Sequence, residues 1–114
     1  MPPLILADDF SGACDAAARA ALPDTTALLS PVAVPAGLLA LSTETRHAPP
    51  SEARAQIRSL ADFLAGRTLY KKIDSTLRGP WIDEVDELLV ITDYAQALVC
   101  PAFPAQGRTV RNGV

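Results

Sequence analysis

The chain has 114 residues, of which 49% are hydrophobic and 20% charged, and its formal net charge is −3. That length and composition fit one domain with a real core and exclude disorder as the default state. With no basic field and only 5% aromatic residues, neither duplex nucleic acid nor a stacked single strand is an expected partner.

Residues 4–7, LILA, form a short apolar run that ends in Asp8-Asp9, as a buried parallel strand would. In the following FSGACDAAARAAL, Ser11 can cap a helix and Gly12 leaves the backbone approachable. The alanine-rich stretch to Leu22 favours helix, and Pro23 stops it. TTALLS (25–30) reads as a second strand, SPVAVP (30–35) as a loop, and GLLALST (37–43) as a third strand. SEARAQIRSLADFLAG, from Ser51, places Ala53, Ile57, Leu60, Ala61 and Leu64 at helical spacing and closes at Gly66. Arg54, Arg58 and Asp62 are expected to face water without a role. TLYKKID (68–74) is the fourth strand. Pro80 then opens a helix with Ile82, Val85, Leu88 and Leu89 on one face, and ALVC (97–100) is a fifth strand.

The alternation of strands and helices predicts an α/β fold: an open, mostly parallel, doubly wound sheet with flanking helices. In such sheets ligands bind beyond the carboxyl ends of the strands. No stretch reaches the roughly 18 apolar residues that span a bilayer, and the N-terminus lacks the basic segment of a signal peptide. A cytoplasmic protein without membrane partners is expected. Cys14 and Cys100 sit in no metal-binding or redox spacing and read as buried free thiols; no metal site is expected. His47, beside Pro49 and Pro50, belongs to a surface loop.

The unusual polar residues fall at one edge of the expected sheet. Asp8 and Asp9 end strand one; Ser42, Thr43 and Arg46 end strand three; Asp74, Ser75, Thr76 and Arg78 end strand four. Gln106, Gly107 and Arg108 follow strand five. Asp9 and Ser11 have a plainer role as helix caps, and Arg46 as a surface charge. Lys71 and Lys72 are harder to dismiss. They point to opposite faces of a strand, and a buried lysine without an anionic partner is costly. Lys72 is favoured over Lys71 for the site. Such a rim suits a small hydroxylated anion. Carboxylates accept from hydroxyls, arginine grips a carboxylate with two parallel bonds, and helix starts add positive potential. A carboxylate beside one hydroxyl could also take its proton as that oxygen attacks phosphorus.

ADDFSGACD (7–15), YKKIDSTLRG (70–79) and PAFPAQGRTVRNG (101–113) resemble the signature segments of the four-carbon acid sugar kinases, which act on threonate, erythronate or 3-oxo-tetronate. STETR (42–46) resembles a fourth, weaker segment. The resemblance implies that residues 1–114 are the N-terminal part of a sugar-acid-binding domain, with a small four-carbon sugar acid as partner. It implies a second, C-terminal domain that binds ATP with magnesium (Mg2+). Carried over, the substrate-binding candidates are Asp8, Ser11, Gly12, Arg46, Lys72, Ser75, Thr76, Arg78 and Arg108, and the catalytic candidates are Asp9 and Asp74. Ser11 stands where the family usually has threonine, and Cys14 where it more often has a polar residue. Pro80-Trp81-Ile82 replaces the commoner Asn-Ile-Gly, although Glu84 keeps its acidic place.

No GxxxxGK or GxGxxG string occurs in the 114 residues. The chain alone is therefore expected to be inactive with ATP, as a fragment or a truncated product. A truncated sheet is expected to expose an apolar edge and self-associate. A non-catalytic remnant that binds a sugar acid is the alternative. A receiver domain shares the acidic pair after LILA. It also needs an aspartate after strand three, where the sequence reads STETR, and a lysine after strand five, where it reads VCPAFP.

Overall fold

The computed structural model describes residues 3–32 and 37–113, so the loop expected at 30–35 falls partly outside it. Four strands form one all-parallel sheet: β1 (Leu4–Ala7), β2 (Thr26–Leu28), β3 (Leu39–Ser42) and β4 (Leu69–Lys72), in the order β2-β3-β1-β4. Their helices are α1 (Phe10–Ala20), α2 (Pro50–Ser59), α3 (Ala61–Leu64) and α4 (Trp81–Ile91).

Chain direction explains the layering. From β1 the chain passes through α1 to β2 on one side of β1, and later passes from β3 through α2 and α3 to β4 on the other. Right-handed crossovers in opposite directions put their helices on opposite faces. Strand alternation supplies both cores. Leu4, Leu6, Leu39 and Leu41 pack with Ile57, Leu60, Leu64 and Leu88, whereas Ile5, Ala7 and Ala40 pack with Ala13 and Ala17 of α1. β1 is central and buried at all four residues, so its carboxyl end opens between the ends of β3 and β4.

Several expectations are corrected. The fifth strand at 97–100 is not formed: Leu98 is 97% exposed, and among the described residues the segment makes no ladder with β4, leaving β4 as the edge. A short apolar run becomes a strand only where a partner takes its backbone groups. Cys14 and Cys100 are free, as expected, but both are exposed rather than buried. The single helix expected from Ser51 to Gly66 breaks at Leu60 into α2 and α3, with Leu60 and Leu64 still in the core.

The cap of α1 is Asp9, whose carboxylate accepts from the Gly12 amide at 2.8 Å, while Ser11 lies exposed in the first turn. The helix stops at Ala20, short of Leu22, where Ala21 turns left-handed at φ 51°. Helix α4 is rotated from its expected face. Ile82 is 63% exposed, and the buried residues are Glu84, Glu87 and Leu88. Nor are Arg54 and Arg58 idle. Arg54 bridges Asp83 and Asp86 at 2.9 and 2.8 Å, and Arg58 Nε donates to Glu87 at 2.8 Å, tying α2 to α4. No described helix is long and apolar enough to cross a membrane.

Candidate functional site

The polar groups expected at the strand ends do meet there. Beyond β3 the backbone keeps pairing with the end of β1: Thr43 N donates to Ala7 O at 2.8 Å, and Thr45 N and Arg46 N donate to Asp8 O at 2.9 and 3.2 Å. This pairing holds Arg46 over the two aspartates. Its Nε and Nη2 reach Asp8 at 3.3 and 3.0 Å, and Nη1 and Nη2 reach Asp9 at 3.0 and 3.3 Å. Asp8 is 1% exposed, so the guanidinium supplies the partner that a buried carboxylate requires. Burial opposes the charge on Arg46, but the aspartates outweigh it and raise its pKa.

After β4 the chain folds around Asp74. Leu77 N donates to Asp74 O at 2.8 Å, and Leu77 and Gly79 both take positive φ, 63° and 85°. The Asp74 carboxylate accepts from Thr76 Oγ1, from Arg78 N at 3.2 Å, and from Arg78 Nε and Nη2 at 2.8 and 3.1 Å. The Arg78 hydrogen bonds, then that of Thr76, hold its pKa well below the carboxylate range against the opposing effect of burial. Asp74 therefore stays ionised and organises its loop. Gly79 packs so closely that a β-carbon there would lie 2.8 Å from Arg46 O, which locks the two loops together.

Between these loops opens a cavity of about 400 Å³ lined by Asp8, Asp9, Glu44, Arg46, His47, Ala48, Glu52 and Arg78. Four expected residues line it: Asp8, Asp9, Arg46 and Arg78. Sequence reasoning missed Glu44, His47 and Glu52. Their signal was position: they follow strand three and open the next helix, at the same sheet edge. Glu44 takes φ 53° and accepts from Ser42 Oγ at 2.6 Å, a turn that keeps the Thr43–Arg46 segment tight.

Other expected residues gather beside the cavity. Lys72 lies on the α1 face, its Cγ 3.7 Å from where a Gly12 β-carbon would sit, and its Nζ donates to Ile73 O at 2.7 Å. Arg108 reaches the loop even though strand five is absent: its Nη1 donates to Ser75 Oγ and to Gln106 Oε1, both at 2.6 Å. Thr76 is spent on Asp74, and Ser11 is exposed without lining the cavity. Lys71 turns to the opposite face, its side chain 10% exposed and 3.6 Å from Glu84 Oε1. Burial pushes the Lys71 ammonium down, and Glu84 and Asp8 partly restore it.

The family model of the sugar-binding N-terminal domain matches residues 4–114. The chain belongs to this family. The resemblance to four-carbon acid sugar kinases is borne out by named relatives. The chain is 41% identical over 121 residues to the D-threonate kinase of Cupriavidus necator, covering 96% of this chain and 28% of that protein. It is 40% identical over 124 residues to the D-threonate kinase of Bordetella bronchiseptica, covering 96% and 31%. It is 34% identical over 80 residues to the D-erythronate kinase of Heliobacterium modesticaldum, covering 67% and 18%. A crystal structure of a domain of unknown function from Bordetella bronchiseptica, a domain-swapped dimer with bound citrate, superposes with a TM-score of 0.82. It shares 39% identity, over 97% of this chain and 31% of that one. The chain thus spans under a third of the length of these relatives.

Among the described residues no three His, Cys, Asp or Glu side chains are grouped to hold a metal ion. Asp8, Asp9 and Asp74 are instead bonded to arginine. The magnesium implied by the resemblance does not fit this set of donors.

Proposed function

We propose that this domain is the sugar-acid-binding portion of an ATP-dependent kinase for four-carbon acid sugars of the threonate, erythronate or 3-oxo-tetronate type. The observation that carries the reading is the cavity itself, where Arg46 is clamped by Asp8 and Asp9 across from Arg78. Nucleotide and magnesium belong, in this reading, to the remainder of such a kinase.

The charges give the ligand a direction. Four carboxylates and two guanidiniums line the cavity, so an anion is repelled from most of its wall. Arg46 is engaged by two carboxylates, whereas the Arg78 side chain is 62% exposed. The sugar acid's carboxylate goes to Arg78, with Arg108, bonded to Ser75 of the same loop, adding positive potential on that side and Lys72 adding it from the Gly12 side. Its hydroxyls face Asp8, Asp9 and Glu44, which accept hydrogen bonds. Of the two catalytic candidates, Asp9 is the one that lines the cavity. Its side chain is 29% exposed at the cavity wall, whereas the lowered pKa of Asp74 makes it a weak base.

Calorimetric titration with D-threonate, D-erythronate and butyrate tests the reading. Saturable binding of either sugar acid, with no binding of butyrate, supports it. Equal binding of all three, or of none, rejects it. The free edge of β4 supports self-association of the domain, in keeping with the domain-swapped relative.

A further inference from the structure

Below the cavity, on the α4 side of the sheet, lies a buried polar cluster with no place in the binding scheme above. Glu84 is 0% exposed. Its Oε2 accepts from Thr45 Oγ1 at 2.8 Å, Thr45 Oγ1 lies 2.6 Å from Thr43 Oγ1, and Thr43 Oγ1 stands 3.4 Å from the same Oε2 and 3.1 Å from Ala7 O. Its Oε1 has no hydrogen-bond partner among the described residues and faces Lys71 Nζ at 3.6 Å, close enough for charge pairing but too long for a hydrogen bond.

Thr43 and Thr45 are also the residues whose amides pair with the end of β1, immediately before Arg46. The segment carrying Arg46 is therefore held on one side by the Asp8 backbone and on the other by Glu84. Glu84 sits on the helix that continues directly from the Asp74–Gly79 loop. One side chain thus ties both walls of the cavity together.

We propose that Glu84, its charge balanced by Lys71, is a positioning residue for ligand binding that acts through Arg46. The inference rests on the sugar-acid reading of the cavity. A fully apolar core would fill this space at less desolvation cost, since buried ion pairs seldom add net stability. The carboxylate instead gives the threonine hydroxyls a charged acceptor, which holds them more firmly than a neutral one.

The test uses the 114-residue chain with Glu84→Gln and with the double variant Lys71→Met/Glu84→Gln. The double variant leaves no buried unpaired charge, so it carries the test if the single variant unfolds. A first readout needs no ligand: amide hydrogen exchange at Thr45 and Arg46. We expect exchange there to quicken by about tenfold while Leu6 and Leu41 keep their protection and the melting transition is retained. The second readout is D-threonate titration. The double variant is expected to bind about tenfold more weakly, as for a charged acceptor replaced by a neutral one, and to add nothing further in an Arg46→Ala background.

Unchanged exchange, unchanged affinity in a folded double variant, or a loss that simply adds to that of Arg46→Ala each overturns the inference. Failure of the double variant to fold overturns it too, by making the pair a requirement of the fold. If the wild-type chain ignores D-threonate, the proposed function fails, and the exchange readout still decides the positioning role.

Discussion

Arg46 meets the buried carboxylate of Asp8 with two nitrogens, Nε at 3.3 Å and Nη2 at 3.0 Å, across 38 residues of sequence. The pair joins the ends of β1 and β3 and forms the floor of the cavity. Arg46→Ala would leave Asp8 buried and unpaired beside Asp9, and a loss of about 3 kcal/mol is expected in urea denaturation. Arg46→Lys keeps the charge but not the fork, so it should lose less stability while still weakening sugar-acid binding.

Gly12 and Gly79 test the close packing around that floor. A β-carbon on Gly12 would sit 2.5 Å from Asp9 Oδ1, so Gly12→Ala must push the carboxylate off the helix start. A cost of about 1 kcal/mol is expected from the lost cap. Gly79→Ala meets both a positive φ of 85° and Arg46 O at 2.8 Å. Gly107→Ala shares the positive φ, 74°, but would touch nothing within 4 Å. Gly79→Ala should therefore be clearly the worse of the two by thermal denaturation, beyond the roughly 1–2 kcal/mol of left-handed strain common to both.

Acid stability should report on Asp74. Its folded pKa lies below the unfolded value of about 3.9, so its contribution is fully present above that value and is lost as pH falls through the folded one. Stability measured from pH 6 down should begin to decline near pH 5, and Asp74→Asn should flatten that decline. An equal slope in the variant would show that the acid limb arises elsewhere.

Salt should separate the two classes of arginine pair. Arg54 lies at the surface between Asp83 and Asp86, so the small effect of Arg54→Ala on the melting temperature should shrink further in 1 M salt. The side chains of Arg46 and Asp8 are 15% and 1% exposed, and the effect of Arg46→Ala should persist.

Much of this arrangement was legible in the sequence, and the exceptions share a physical cause. Period-two alternation correctly sent Lys71 and Lys72 to opposite faces, and the carboxyl-edge rule gathered Asp8, Arg46, Asp74 and Arg78 before any geometry was known. The failures came where a partner distant in sequence decides. Apolar spacing put Ile82 and Val85 inward on α4. The sheet and α2 instead offered Lys71, Thr45 and Arg58, which suit Glu84 and Glu87, and the helix turned accordingly. ALVC has strand composition but no ladder partner, and composition carries no information about the neighbour. Glu44, His47 and Glu52 carry no distinct signal beyond their position, because exposed polar residues in a loop or a first helical turn look alike until a cavity forms among them.

The open edge of β4 and the exposed Leu98 should make the chain associate with itself at high concentration. Light scattering across a dilution series should show this, and Leu98→Lys should suppress it. A wild-type chain that is monomeric throughout would remove the edge from consideration.

The most direct measurement is a crystal structure of the chain grown with D-threonate. Density for the sugar acid should fill the cavity between the Arg46 and Arg78 loops, with its carboxylate within hydrogen-bonding distance of Arg78 and a hydroxyl on Asp9. Density elsewhere on the molecule, with the Asp8–Arg46–Arg78 cavity holding only water, would contradict the account.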